Sequence, residues 1–467
     1  MTFPRPGVGI DFGTSNSTAA WFDGQTLHSV RLEHGGDVLP TAIHLDREFH
    51  ALTGQDAIDR YVDENRGRRV ELVAEIIGEA ASAIGEIDME ITGELETHRR
   101  TLYGPLTDRG QPGRLFLGLK RLLGDPEQER LPVFGRAFRL VALLTPILLR
   151  IRQTVQRELP CALPPVHLGR PVRFEGRHAD ASVRAVTRLA EAAGHAGLGT
   201  PTFYPEPVAA TLSWLWRSGS TAPGITLAVD FGGGTLDLAV LRHEGLRFTV
   251  LATAGAALGG DKIDQLIYRT LLFPELGKGE RWSRVVDGVP VDTLFPFEEF
   301  ETGLLNWPIT HTLNQNRTRT MVIDRLQQGD AAAEKFQRLH DLISYNYGYT
   351  VFQAIRTAKA ALSEQTATAI DIPEINLRLP FSRDQFESLL AEPLQTLRHL
   401  VAEVLDRAGL ATQDINQVVR TGGTSQIVAV RQLLEELFDG RVVAHDPFTS
   451  VAAGLALASH HGWRCEP

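Results

Sequence analysis

Two stretches of the chain alternate apolar runs and short polar turns in the same order. Residues 7 to 24 read GVGIDFGTSNSTAAWFDG. An apolar run closes on Asp11, a turn follows through Gly13, Thr14, Ser15 and Asn16, and a second apolar run ends at Asp23-Gly24. Residues 225 to 245 read ITLAVDFGGGTLDLAVLRHEG. Aligning Asp11 with Asp230, 219 positions later, sets Phe12 on Phe231 and Gly13 on Gly232. Each copy turns again, at Asp23-Gly24 and at Glu244-Gly245, into a third extended run at 25–30 and 246–252. Asp-Gly between apolar runs is a strong hairpin signal. Two like modules predict a duplicated chain with two lobes.

The remaining pattern is mostly helical in period. VALLTPILLRIRQTVQREL, within 133–160, predicts a long apolar-faced helix packed on the first sheet. Residues 179–195 predict a helix with Ala and Val on one face, and PPVHLGRPVRF predicts a strand with its exit loop. Residues 65–115 are polar and helix-prone (RRVELVAEIIGEAASAIGEI), then loop-like from Gly104 to Gly113. They predict an outer subdomain with an insertion. Residues 273–350, with DGVPVDTLFPFEEFETGLLNWP, read as irregular and predict a second such subdomain. SGSTAPG at 218–224 is the expected hinge. The expected division is 1–221 for lobe I, with its outer subdomain and insertion at about 65–132, and 222–467 for lobe II, with its own at about 266–357.

Composition narrows the class. At 467 residues, 43% hydrophobic and 22% charged, the chain reads as a soluble globular protein of two or three domains. Its net charge of -10, without a long Lys/Arg run, argues against nucleic acid as the main partner. Cys161 and Cys465 lie far apart and form no CxxC, which argues against a disulfide framework or a cysteine zinc site. No window of 18 uncharged apolar residues occurs, and the chain enters a strand by Gly7 without a leader-like segment. The expectation is a cytoplasmic protein that does not cross a membrane.

The two turns carry the candidate chemistry. Glycines let a backbone approach a ligand closely and present several N–H groups to one anion. The hydroxyls of Thr14, Ser15 and Thr235 add donors. Asp11 and Asp230 would repel bare phosphate, but they suit a hydrated Mg²⁺ that bridges phosphates. Two facing hairpins could thus hold a nucleotide's phosphates from both sides. No GxxxxGK[ST] occurs, and a strand rather than a helix follows each turn, so the site is neither a P-loop nor a Rossmann fingerprint.

These motifs resemble the phosphate loops of the actin-like ATPase superfamily, and in detail the DnaK-type heat shock protein 70 chaperones. GIDFGTSNS and DFGGGTLD are similar to that family's two phosphate loops. FLGLKRLLG, with Lys120, is similar to its lysine segment, and Glu206-Pro207-Val208-Ala209-Ala210 to its EPxAA turn. LGGDKID at 258–264, AKAALS at 358–363 and Thr421-Gly422-Gly423-Thr424 follow in family order. The resemblance implies an α/β protein of the actin-like ATPase fold, with two duplicated ribonuclease-H-like lobes, each with an outer subdomain, around a central nucleotide cleft.

It also implies roles. Lys120, Glu206, Asp230, Thr235 and Asp237 form the expected catalytic set. Lys120 would reach the γ-phosphate and the attacking water, and Asp237 would orient or deprotonate that water. Asp11, Glu206 and Asp230 would hold Mg²⁺ through its water shell. Gly13, Thr14, Ser15, Asn16, Gly232, Gly233, Gly234 and Thr235 would cradle the phosphates. Gly260, Lys359, Ser363, Gly422, Gly423 and Thr424 would face the adenosine, and Asp261 the ribose or the lobe interface. By pattern alone, Lys120 also fits a solvated face, Asp237 a solvent-facing strand position, and Glu206 a stabilising charge at a helix N-terminus. The implied cofactors are ATP or ADP with Mg²⁺, and K⁺ is a further candidate ion. The implied partners, besides nucleotide, are an unknown protein client or co-chaperone.

Two departures from the family are visible. Arg356 stands where the family has a ribose-gripping glutamate, and Ala360 where it has an arginine that stacks on the base. Where the family continues into a linker and a peptide-binding domain, this sequence ends on DPFTSVAAGLALASHHGWRCEP. That shape, with GRPVRF at 169–174, is similar to the YegD-like branch with a stand-alone nucleotide domain. The implied function is a slow chaperone-type ATPase that switches the closure of its lobes. The alternatives are a nucleotide-dependent scaffold module with negligible hydrolysis, a sugar kinase or polyphosphatase of the same superfamily, and an actin-like filament protein.

Overall fold

The computed structural model describes residues 5–83, 97–108, 110–176, 178–219 and 221–464. In the first lobe, β1 (Gly7–Phe12), β2 (Asn16–Phe22) and β3 (Leu27–Ser29) form the antiparallel meander. On the other side of β1, β4 (Val166–Arg170) and β5 (Thr202–Pro205) join in parallel, giving the order β5-β4-β1-β2-β3. The second lobe repeats this strand for strand. Its meander is β6 (Pro223–Phe231), β7 (Leu236–Glu244) and β8 (Arg247–Ala256). Parallel strands β9 (Gln417–Thr421) and β10 (Val442–Ala444) complete the order β10-β9-β6-β7-β8. The duplicated pattern of apolar runs is thus a duplicated sheet, and the chain has the actin-like ATPase fold.

Helices cover these sheets. They include α1 (Gln55–Asn65), α2 (Leu140–Glu158), α3 (Ala181–His195), α4 (Glu206–Ser218), α5 (Gly260–Ile267), α6 (Gly348–Ala361) and α7 (Ser450–His461). Leu144, Ile147, Leu148, Ile151 and Val155 repeat at helical spacing on α2 and pack with Val8 and Ile10 in one core. The opposite face of β1 is covered by α7, which returns from the end of the chain to the first sheet. A Cβ at Gly9 would stand 2.2 Å from the Ala452 carbonyl oxygen, and one at Gly7 2.1 Å from that of Ala456. A strand covered on both faces needs a nearly continuous apolar run, which GVGIDF supplies. Where α7 crosses α4, a Cβ at Gly454 would stand 1.7 Å from the Ala209 carbonyl oxygen. Small residues let these two helices pack backbone to backbone between the lobes.

Two stretches differ from the sequence pattern. Within 65–115, α1 ends at Asn65, and Leu72–Ala83 pairs antiparallel with Thr97–Asp108. Ala and Glu favour a helix there, but helix propensities differ by only about 0.7 kcal/mol per ordinary residue, and pairing with a distant segment overrides them. Residues 84–96 of that stretch lie outside the described residues. Residues 273–350 are not irregular either. They hold a hairpin (Arg281–Val286 with Val289–Leu294), helices Glu298–Leu305, Asn316–Leu326 and Ala333–Ser344, and a 3₁₀ segment Trp307–Leu313. Proline reads as a breaker, yet Pro308 occupies a first turn, where its missing N–H costs nothing. A buried aromatic cluster of Phe273, Trp282, Phe295, Phe297, Phe300 and Phe336 holds these short elements together.

The outer parts of the two lobes also meet. The Val70 N–H donates to the Asn314 carbonyl at 2.8 Å, and Asn314 Nδ2 donates to the Arg68 carbonyl at 2.7 Å. The Tyr61 hydroxyl lies 2.7 Å from His311 Nδ1. Among the described residues no helix is long and apolar enough to cross a membrane.

Candidate functional site

The turns that follow β1 and β6 face each other. A Cβ at Gly234 would meet Thr14 Oγ1 at 2.8 Å, and one at Gly233 would meet Ser15 Oγ at 2.9 Å. The hydroxyl turn of one lobe therefore seats on the glycine turn of the other. Gly259 and Gly260 back the second turn. The Gly260 N–H donates to the Gly232 carbonyl at 3.0 Å and the Asp261 N–H to that of Gly233 at 2.9 Å. Thr424 Oγ1 donates to the Gly232 carbonyl at 2.8 Å. Gly422 adopts φ 82°, and a Cβ there would stand 2.7 Å from Asp230 Oδ1.

Beneath the turns lies a cluster of buried charge. Gly118, in the left-handed region at φ 63°, reverses the chain into a 3₁₀ turn at Leu119–Leu122 that buries Lys120. The start of α4 presents Glu206. Lys120 Nζ donates to Glu206 Oε1 at 2.6 Å, with both side chains buried. In the second lobe β6 and β7 pair Asp230 directly opposite Asp237, so their side chains share a face. Asp237 Oδ1 accepts the Val172 N–H at 2.8 Å.

The electrostatics follow from this crowding. Burial pushes the Asp11 carboxyl up to about 7, Glu206 adds to the rise, and Lys120 opposes it. Burial, then Glu206, likewise push Asp237 up to about 7, against the Thr235 hydroxyl, the Val172 N–H and Lys120. Asp230 is held well above the ordinary carboxylate range by burial and by Glu206, Asp11 and Asp237. Burial lowers the Lys120 ammonium, but Glu206 and Asp11 outweigh it and raise the group above its usual value. Asp11 Oδ1 is enclosed and has no hydrogen-bond donor. Carboxylates this crowded, one with an orphaned oxygen, are the donor set that a cation would relieve. Among the described residues no three His, Cys, Asp or Glu side chains converge closely enough to ligate a metal directly.

A second cluster joins the lobes beside the turns. Asp261 Oδ2 accepts Ser15 Oγ at 2.9 Å and Arg121 Nη2 at 3.0 Å, both from the first lobe. Asp264 is almost fully buried and takes the ammonium of Lys359 at 2.5 Å and Arg356 Nε at 3.2 Å. Lys359 Nζ also donates to the Gly260 carbonyl at 3.3 Å. Arg121 and Asp264 belong to this cluster, and the motifs give neither of them a role. Each stands inside a quoted motif, KRLLG and LGGDKID, and only the fold distinguishes it from its neighbours. Gly169 was also passed over. A Cβ there would lie 3.2 Å from Glu206 Cγ and 3.4 Å from Asp11 Oδ1.

Of the residues proposed from sequence, three stand apart from these contacts. Asn16 opens β2 and is exposed, pairing with Pro40. Ser363 lies just beyond the end of α6, half-buried. Gly423 is exposed, and a Cβ on it would touch only the ring of Phe448.

Similarity to known proteins agrees with this geometry. A profile of the family described as Hsp70 protein matches residues 147–280 and 345–460, more than half of the chain. A chaperone protein dnaK of Cyanidioschyzon merolae is 26% identical over 461 residues, covering 96% of this chain and 61% of its own. A chaperone protein HscA homolog of Bordetella petrii is 27% identical over 462 residues, covering 97% of this chain and 57% of its own. One of Acidithiobacillus ferrooxidans is 29% identical over 283 residues, covering 60% and 35%. The chain spans about three fifths of the length of the first two.

Proposed function

The chain belongs to the Hsp70 family, and from that premise we propose that it is a chaperone-type ATPase that hydrolyses ATP slowly and uses the nucleotide to switch the closure of its lobes. One observation carries this reading. Lys120 and Glu206 from the first lobe converge with Asp230 and Asp237 from the second, directly beneath two interlocking phosphate-type turns.

The residues divide the work. The turns of Gly13–Ser15 and Gly232–Thr235 bind phosphate oxygens through N–H and hydroxyl donors. Asp11, Asp230 and Glu206 hold the water shell of Mg²⁺, which when bound supplies counter-charge to the phosphates. K⁺ is a second candidate for the same pocket of negative charge. Lys120, aimed by its bond to Glu206, stabilises charge on the transferred phosphoryl oxygens. Asp237 takes the proton of the attacking water. A carboxyl near 7 suits a base working at neutral pH, and the Val172 N–H fixes its direction. The Ser15–Asp261–Arg121 contacts between the lobes support nucleotide-dependent closure.

We also place the chain in the YegD-like branch and in the cytoplasm. Support for the branch is the GRPVRF segment, whose Gly169 packs between Glu206 and Asp11 and whose Val172 holds Asp237. A protein client or co-chaperone is the partner class that the names of the related chaperones suggest.

The test is a thermal melt with MgATP, with MgADP and without ligand. Binding to the native state alone stabilises by RT ln(1 + [L]/Kd). No shift at millimolar nucleotide overturns the reading. Steady-state phosphate release then separates an ATPase from a module that only binds.

A further inference from the structure

Phe448 is an exposed aromatic ring on a rigid backbone. It lies between β10 and α7, and 52% of it is open to solvent. Asp446 folds back on the turn. Its Oδ1 accepts the N–H groups of Phe448 and Thr449, each at 2.9 Å, and its Oδ2 accepts the Thr449 hydroxyl at 2.7 Å. The Thr421 hydroxyl donates to the Asp446 carbonyl at 2.8 Å. From the first lobe, Thr18 Oγ1 donates to the Phe448 carbonyl at 3.2 Å. These five hydrogen bonds fix the backbone that carries the ring.

The ring's position says what it would meet. A Cβ at Gly423 would stand 3.4 Å from Phe448 Cε1, so the ring lies along that glycine. Next to it, Thr424 Oγ1 bonds to the Gly232 carbonyl and would sit 2.8 Å from a Cβ on Gly260, which in turn would meet Lys359 Nζ at 3.2 Å. Phe448 therefore continues the wall that runs from the phosphate turns along the Gly422–Thr424 loop. The side of α6 supplies no free stacking cation. Ala360 is exposed and offers only a methyl, and the Arg356 guanidinium is engaged by Asp264 and Asp261.

We propose that Phe448 is the stacking platform for the purine base of the bound nucleotide. The proposal rests on the reading of the cleft as a nucleotide site. A hydrocarbon ring carries no hydrogen-bonding groups, and stacking on it tolerates any base. Adenine and guanine are therefore held alike at this wall, and Phe448 sets affinity rather than the choice between them.

The experiment is calorimetric titration of the full chain with MgATP, MgGTP and magnesium tripolyphosphate, in wild type, Phe448→Ala and Phe448→Trp. Removing a base stack costs roughly tenfold or more in affinity. Phe448→Ala should lose about that factor for both nucleotides alike, with tripolyphosphate binding unchanged and Phe448→Trp close to wild type. An unchanged ATP affinity in Phe448→Ala, beside normal wild-type binding, overturns the platform and leaves the cleft reading intact. Equal losses for ATP and tripolyphosphate overturn it too, since the ring would then be bracing the Gly422–Gly423 turn. A wild type that binds none of the three removes the cleft reading itself.

Discussion

The two lobes carry the same sheet but not the same chemistry. Each places an aspartate, Asp11 or Asp230, at the same point of its first central strand, followed by Phe and Gly. Opposite Asp11 the next strand brings Thr18, whereas opposite Asp230 it brings Asp237. The first turn is built of hydroxyls and the second of glycines, and the two fit together because they differ. Thr14 and Ser15 occupy the space that side chains at Gly234 and Gly233 would need. Lys120 and Glu206 both come from the first lobe, and Asp230 and Asp237 from the second. Duplication supplied two equivalent frames, and divergence gave each half of one site. Neither lobe contains the proposed machinery alone, so the switching proposed above would assemble and part the site as the lobes move.

The sharpest way to break this division of labour is at Lys120. Lys120→Ala should cut steady-state phosphate release by roughly 10²- to 10³-fold, the usual loss for one preorganised charge at a transition state. MgATP should still raise the melting temperature. If the variant turns over normally, Lys120 serves only as the counter-ion of Glu206. Next comes the fit of the turns. Gly234→Ala puts a methyl against Thr14 and should weaken MgATP binding about 100-fold, or about 2.7 kcal/mol. Thr14→Gly in the same chain should recover part of it, and calorimetry on the single and double variants reads the coupling. Equal losses in both would mean that the turns do not touch in the bound state.

The third prediction concerns pH. Asp11 and Asp237 stand near 7 against an ordinary value of 3.8. A carboxyl raised on folding favours the folded state most at about pH 4 and below, and that contribution drains away as pH rises through about 7. Nucleotide- and magnesium-free protein should therefore lose stability between about pH 4 and pH 7 and level off above. Asp11→Asn should flatten that slope and add ~1–3 kcal/mol at the upper end while it weakens MgATP binding, a trade of function for stability. Denaturant melts across the range measure it, and an unchanged slope would show that Asp11 is not held near 7. The smallest effect is expected at Arg121, whose pair with Asp261 is partly exposed. Arg121→Ala should cost about 0.5 kcal/mol, roughly twofold in nucleotide release rate by stopped flow. A tenfold change there would make this contact a principal latch between the lobes.

Much of this was legible along the chain. The paired hairpins, the apolar face of α2 and the small-residue run of α7 are local patterns, and local patterns specify strands, helices and close-packing surfaces by short-range physics. The facing turns proposed as phosphate cradles are legible as turns because a backbone N–H concavity needs only a few consecutive residues. What the chain did not disclose depends on distant partners. Leu72–Ala83 has the composition of a helix and becomes a strand because Thr97–Asp108 lies beside it. The stretch through 273–350 looks broken by proline and aromatics, yet those aromatics bury one another between the hairpin and the helices Glu298–Leu305 and Ala333–Ser344. Nothing local in VAAGLALAS says that it returns to cover β1, where Ser459 takes the N–H of Val8, 451 residues away in sequence. The pairing of Lys120 with Glu206 and the raised carboxyls of Asp11 and Asp237 arise only when both lobes exclude water from one place. Charge, turn and period are properties of neighbours in the chain. Burial and the energy of one charge beside another are properties of neighbours in space, and only the folded chain decides them.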